Sequence, residues 1–281
     1  MKKILVPTDF SVNADKALYI AAEIAANANA TLEILHVNTS AAYTPLMPEY
    51  AIADDGFDDY AESVSSDLHA LKRVLVSQPK FANLTVESRV EDGFLHTTMN
   101  RIAQDDNCDL LVMGTKGATG ATEFFVGSNT EKVIRTTACP VLVVPQNTKD
   151  FNIRTVVLAT TLRPDQYSAF ETLVEWQKTN LFDVKVLYLN NPGGFANMEA
   201  IYTALNEFCT RSGLINAELF TATNTFNEER TILSFADEHA ADMIAMATHQ
   251  RRGISHMMFG SLTEDTANHS DIPVLCIPIH N

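Results

Sequence analysis

The residues of this chain best suited to holding a ligand fall in residues 113–128, Met-Gly-Thr-Lys-Gly-Ala-Thr-Gly-Ala-Thr-Glu-Phe-Phe-Val-Gly-Ser. An apolar run, Asp109-Leu-Leu-Val-Met113, precedes them, and a segment of helical periodicity over 130–137 follows. Strand, glycine-containing loop and helix is the order in which backbone N–H groups and the positive end of a helix dipole meet an anion. Gly114, Gly117 and Gly127 carry no Cβ, so a ligand can approach the main chain closely. The stretch reads as a nucleotide-phosphate loop. It is not a Walker A loop, because no G-K-[ST] follows the glycines, and the separation of Gly114 and Gly117 rules out G-x-G-x-x-G. The plainer alternative is that the glycines only turn the chain and that Ser128-Asn-Thr-Glu131 is an S-x-x-E capping box. The two readings are compatible.

The elements that must position this loop follow from hydrophobic periodicity. Residues 3–7 make a strand, and Ser11 caps a helix whose buried stripe is Ala14, Ala17, Leu18, Ala21, Ile24 and Ala25. Residues 31–37 form the second strand. Residues 38–59, with Pro45, Pro48, Gly56 and a run of acids, fit no regular element and predict a long acidic flap beside the site. A helix over 60–76, a strand over 84–90, a helix over 94–106, a strand over 109–113 and a fifth strand over 141–144 complete the pattern. Alternating strands and helices predict an α/β fold with a parallel sheet, whose ligands bind at the carboxyl ends of the strands. Asp9, Val37 and the Gly114 loop all fall at such ends.

The pattern then repeats. Asp242-Met-Ile-Ala-Met246, Gly260-Ser261 and Ile272-Pro-Val-Leu-Cys-Ile-Pro278 stand 133 residues after Asp109-Leu-Leu-Val-Met113, Gly127-Ser128 and Cys139-Pro-Val-Leu-Val-Val-Pro145. Val156-Val-Leu-Ala159 and Val186-Leu-Tyr-Leu189 stand 152 residues after Ile4-Leu-Val-Pro7 and Ile34-Leu-His-Val37. The second copy therefore lacks most of the 38–59 segment. It also has Thr161 for Asp9, Ala247 for Gly114 and Gln250 for Gly117, changes that obstruct close main-chain approach to a phosphate. His249, Arg251 and Arg252 leave another anion open there, but the second copy reads mainly as a structural one. A boundary at 146–152 separates units of 1–147 and 153–281, and pairing their fifth strands would cover two apolar edges.

Composition excludes several functions. A formal net charge of −15 over 281 residues opposes coating a nucleic acid backbone. No apolar run approaches a membrane span, and Met1-Lys-Lys-Ile-Leu-Val-Pro-Thr-Asp meets a proline and an acid too early for a secretory leader, which predicts a cytoplasmic protein. Cys108, Cys139, Cys209 and Cys276 show no metal or redox spacing and read as small buried residues. His249 and His256 are a weak zinc pattern, and no metal site is expected.

At Pro7-Thr8-Asp9-Phe10-Ser11, and at the G-x2-G-x9-G-[ST] pattern of Gly114, Gly117, Gly127 and Ser128, the sequence resembles the universal stress protein family in its tandem two-domain form. The resemblance covers almost the whole chain apart from residues 38–59. It implies an α/β fold of two five-stranded parallel-sheet domains, Rossmann-like and adenine nucleotide alpha hydrolase-like, related by a pseudo-two-fold. In the family's ATP-binding branch it implies Pro7, Thr8, Asp9 and Val37 along the nucleoside. Met113, Gly114, Lys116, Gly117, Gly127, Ser128 and Asn129 would then serve ribose and phosphates. Asn129 departs from the family's usual small apolar residue. ATP, AMP or ADP, with or without Mg²⁺, is the implied ligand, and a homodimer and a further protein partner are open. Three classes of function follow: a stress regulator that binds adenine nucleotide in its first copy, an interaction module that binds none, and a slow ATPase. With Lys116 and Glu123 the charged residues of the loop, any hydrolysis is expected to be slow.

Overall fold

The computed structural model describes residues 1–39, 55–115, 128–148, 151–166, 170–190, 197–223, 227–249 and 258–279. The first half contains β1 (Lys3–Pro7), α1 (Val12–Ala28), β2 (Thr31–Asn38), α2 (Asp55–Val76), β3 (Val86–Asp92), α3 (Leu95–Asp105), β4 (Leu110–Gly114), α4 (Ser128–Thr136) and β5 (Val141–Val144). The second half repeats them as β6 (Thr155–Thr160), α5 (Glu171–Thr179), β7 (Asp183–Asn190), α6 (Met198–Ser212), β8 (Ala217–Thr223), α7 (Glu228–Glu238), β9 (Met243–His249), α8 (Met258–His269) and β10 (Val274–Ile279).

Each half is a five-stranded parallel sheet, in the orders β3-β2-β1-β4-β5 and β8-β7-β6-β9-β10. The expected pairing of the two fifth strands is present. β5 and β10 pair antiparallel and join the halves into one ten-stranded sheet. Leu142 stands directly opposite Leu275, its own counterpart 133 residues on, so the pseudo-two-fold axis passes through this pair. Both strands are apolar and buried throughout, and pairing satisfies main-chain groups that would otherwise form an exposed edge.

Two apolar cores sandwich the sheet. On one face, α1, α2, α5 and α6 cover Ile4, Val6, Leu142, Leu158 and Leu275; on the other, α3, α4, α7 and α8 cover Leu5, Leu111, Val143, Ile244 and Cys276. Successive strand residues alternate between the two, the period of a pleated strand. The predicted stripe of α1 is buried at every named position, and Ser11 Oγ accepts from Ala14 N as the predicted cap. The predicted flap is shorter than expected, because β2 runs to Asn38 and α2 begins at Asp55. That start places residues 55–59, read as part of the flap, in a helix. Residues 40–54 of the flap lie outside the described residues. Cys108, Cys139 and Cys276 are buried as expected, Cys209 is only half-buried, and all four cysteines are free. Burial pushes the Cys108 thiol up to about 11.

Equivalent carboxylates begin both halves. Asp109 Oδ2 accepts from the backbone N–H groups of Lys2 and Lys3 at 2.5 and 2.9 Å, and Asp242 Oδ2 accepts from those of Arg154 and Thr155 at 2.8 and 2.9 Å. Each staples the first strand of its half to the fourth. Beside the first staple, the carboxylate of Glu33, 2% exposed, is met by Lys3 at 2.9 Å and Arg89 at 2.7 Å, and both cations also reach Asp106. Burial alone would lower the Lys3 value, but its bonds to Glu33 and Asp106 outweigh that and raise it. Bonding to Lys3, then the charge of Arg89, holds Asp106 below the usual carboxylate range.

Across the axis, Arg135 of α4 forms a two-point ion pair with Glu264 of α8, the first bond at 2.6 Å. The symmetry-equivalent positions hold Glu131 and Asn268, so this pair occurs on one side of the axis.

The end of β4 is fixed by close approach. A Cβ on Gly114 would lie 2.5 Å from the carbonyl oxygen of Asn13 in α1, a backbone atom that cannot swing aside. Gly114→Ala should therefore cost about 1–3 kcal/mol, read as a lower urea midpoint at unchanged slope. Asp106 supports stability at pH values above its ordinary 3.8 and loses that contribution as pH falls through its lowered value. Asp106→Asn should accordingly flatten the acid limb of unfolding below about pH 4, followed by circular dichroism, while lowering stability at pH 7.

Candidate functional site

The sequence from Pro7 to Ser11 folds as a tight turn between β1 and α1, with Phe10 in the left-handed region at φ 59°. Local polar groups hold that conformation. Thr8 Oγ1 accepts from Phe10 N at 3.0 Å, Asp9 Oδ1 accepts from Ser11 N at 3.0 Å, and Thr8 N donates to Leu35 O at 2.8 Å, extending the β1–β2 ladder past Pro7. Beneath the turn lies His36, 8% exposed, its Nδ1 2.9 Å from Thr8 O and its ring stacked on Phe10 at 5.2 Å.

Register brings the strand ends level. Pro7 pairs with Leu35, and Leu5 with Leu111, so Met113 stands beside Pro7 and Val37 stands two residues beyond it. Val37 and Met113 point to the same face, packed with Leu5, Leu35 and Leu111. Gly114 ends β4, and Thr130 in the first turn of α4 places its Oγ1 3.5 Å from Gly114 O. The amino end of α4 therefore sits at the carboxyl end of β4. Asn129 is exposed there, and Ser128 is the first helical residue.

Pro7, Thr8, Asp9, Val37, Met113, Gly114 and Asn129 thus converge at one end of β2, β1 and β4. Lys116, Gly117 and Gly127 lie outside the described residues. Asp9 is exposed and forms part of the turn. Asp15, one turn into α1, has its carboxyl raised by burial and then by the charge of Asp9. Two acids at this end repel phosphates and suit it to a nucleoside. Gly114 has a second role that the sequence did not show, admitting Asn13 of α1. Beside it, the Asn13 side-chain oxygen is buried with no hydrogen-bond partner among the described residues.

The second half keeps the turn and fills the place. Leu162, the counterpart of Phe10, has φ 52°, and Thr160 Oγ1 accepts from its N–H at 2.9 Å. The buried carboxamide of Gln166, whose Oε1 accepts from Thr160 Oγ1 at 2.7 Å and Thr161 Oγ1 at 3.4 Å, ties up both hydroxyls. A 3-10 turn, Pro164–Gln166, stands where α1 begins in the first half, and α5 starts only at Glu171. Ala247 therefore replaces Gly114 in a half whose long helix does not begin at that position.

His36 and Gln166 escaped the sequence reading. The signal for His36 was present, as a lone imidazole in the otherwise apolar Ile34-Leu-His-Val37. Gln166 gave none, because only the fold brings it to the threonine pair. Among the described residues no group of three His, Cys, Asp or Glu side chains could hold a metal, and no helix is long and apolar enough to cross a membrane. His256 lies outside the described residues.

Comparison with known proteins matches this geometry to a family. A protein of Staphylococcus saprophyticus named among the universal stress proteins is 31% identical over 144 residues, covering 51% of this chain and 83% of its own length. One from Staphylococcus aureus strain USA300 is 29% identical over 164 residues, covering 58% and 95%. The crystal structure of a universal stress protein from Archaeoglobus fulgidus superposes with a TM-score of 0.77 at 19% identity, covering 99% of this chain and 98% of that one, and so shares the whole tandem fold. The profile of the universal stress protein family matches residues 1–145 and 225–278; the stretch between them carries Thr161, Gln166 and the short α5. With matched segments in both halves of its sheet, the chain belongs to the universal stress protein family.

Proposed function

We propose that this universal stress protein binds one adenine nucleotide, ATP or its relatives AMP and ADP, in the first unit (residues 1–147), and that the second (residues 153–281) is mainly structural. The observation that carries the reading is the contrast between the two strand ends. In the first half Asp9, Val37, Met113 and Gly114 converge beside Asn13, whose buried side-chain oxygen has no hydrogen-bond partner among the described residues. In the second, Gln166 occupies the corresponding hydroxyls.

In this reading the base lies against Val37 and the Pro7–Asp9 turn, and the phosphates lie toward Lys116, Gly117, Gly127 and the amino end of α4, where backbone N–H groups and the helix dipole favour an anion. Ser128 and Asn129 add donors there. Mg²⁺, where it accompanies ATP, would offset phosphate charge against the acids of residues 38–59. The protein acts by occupancy, changing its conformation or its partners in the stress response, and is expected in the cytoplasm. Catalysis would require a base placed at the phosphates; Asp9 and Asp15 are at the nucleoside end, and Glu131 in the first turn of α4 is read as the capping-box partner of Ser128.

Calorimetric titration with ATP should give a stoichiometry near one per chain. Gly117→Gln, which copies the second half's residue, should abolish binding, and Gly260→Val should leave the stoichiometry unchanged. A value near two, or binding that survives Gly117→Gln and fails with Gly260→Val, places the site in the other half. Absence of binding to the folded wild type leaves the interaction-module reading. Phosphate release from bound ATP should stay below about 0.01 s⁻¹, well under ordinary enzyme turnover, and a faster burst would make the protein an ATPase.

A further inference from the structure

On the helix face opposite the Arg135–Glu264 pair, a cavity of about 350 Å³ lies between the halves. Its lining follows the pseudo-two-fold. Met1 and Ile153, Ile24 and Trp176, and Ala28 and Asn180 are counterparts within it, each pair separated by 152 residues in sequence. The cavity therefore straddles the same axis as the Leu142–Leu275 pair, bounded by the last turns of α1 and α5 and by the connecting segment at Phe151–Ile153.

The two walls have different chemistry. Met1, Ile24 and Ala28 make an aliphatic wall. Opposite it, Phe151 and Trp176 meet edge to face at 6.4 Å, with Trp176 4% exposed. Polar groups sit around the edge: the carboxamides of Asn27, Asn152 and Asn180, and Lys178 paired with Glu175, so the charges cancel locally. Against Ile24 and Trp176, away from these edge groups, water finds few polar partners, and volume left unfilled there forfeits the packing that protein interiors otherwise achieve. Mostly apolar walls with a few polar groups, at a volume of roughly 300–1,000 Å³, are the general form of a small-molecule pocket.

We propose that the axial cavity between α1 and α5 is a binding site for a small uncharged aromatic molecule carrying one hydrogen-bonding group. The ring lies between Ile24 and Trp176, and the polar group meets a carboxamide of the edge. The site needs both halves, which gives the second half a role that does not depend on a nucleotide motif. It is also separate from the nucleotide reading, since α1 carries the Pro7–Ser11 turn at its first residue and the cavity at its last.

Trp176 is the chain's single tryptophan, so the full-length protein reports on this site directly. Titration with N-phenyl-1-naphthylamine, an uncharged aromatic amine, should show saturable binding at one per chain, with probe emission excited through Trp176. Ala28→Leu and Ile24→Phe, which fill the cavity from the first half, should each weaken the probe by about tenfold or more, near 1.4 kcal/mol. The sulfonated analogue 8-anilinonaphthalene-1-sulfonate should bind more weakly than the amine. Circular dichroism establishes which filling variant is folded, and either one alone decides the outcome. No saturable binding to the wild type, or an unchanged dissociation constant in a folded filling variant, overturns the site. Tighter binding of the sulfonate overturns its preference for an uncharged ligand.

Discussion

The structure depends on the antiparallel pairing of β5 with β10. Every other strand contact in the sheet is parallel and lies within one half. This one contact sets the axis, and the axis determines which helices face each other across it. Placing Leu142 opposite Leu275 brings α4 against α8 on one face and turns the ends of α1 and α5 toward each other on the other. It also uses the fifth strands, leaving β3 and β8 as the sheet edges.

Within that frame the halves solve the same packing problems with different chemistry. Glu33 is buried in the first half, and a buried carboxylate is tolerated only with partners, here Lys3 and Arg89. The counterpart of Glu33 is Lys185, those of Arg89 and Asp106 are Phe220 and His239, and that of Ile102 is Phe235. An ion cluster in one half has become an aromatic cluster in the other. Phe220 and Phe235 meet at 5.1 Å, His239 tilts onto Phe235 at 4.0 Å, and the Lys185 ammonium lies 5.2 Å from the Phe220 ring centre while pairing with Glu218. Both solutions preserve the register of the strands, so the backbone repeats where the side chains do not.

The sequence revealed most of this fold because periodicity and repetition are properties of the backbone's buried faces. The α1 stripe, the Ser11 cap and the pairing of the fifth strands were all legible in apolar spacing. The antiparallel sense and the register of that pairing were not, since periodicity identifies strands without showing how their edges align. The start of α2 at Asp55 was missed because acids and glycine resemble a loop in composition. In the candidate site, strand-end positions could be read from the motif. The partner of His36, Thr8, and the place of Gln166 across the Thr160 and Thr161 pair could not, because both are set by the folded geometry.

The short connection from Val144 to Thr155 changes the physics of the axis that it spans. Two separate chains meeting through such strands would associate according to their abundance, and dilution would pull them apart. Tethering replaces that dependence with a fixed effective concentration, on the order of millimolar for short linkers. The two sides then never exchange partners, so each is matched only to the other and need not match itself. Arg135 can face Glu264 with no second copy of the bridge, and an aliphatic wall can face an aromatic one. A homodimer assembled through the same strands would have to repeat every off-axis contact, whereas this chain repeats the strand register and leaves side-chain contacts such as Arg135–Glu264 single.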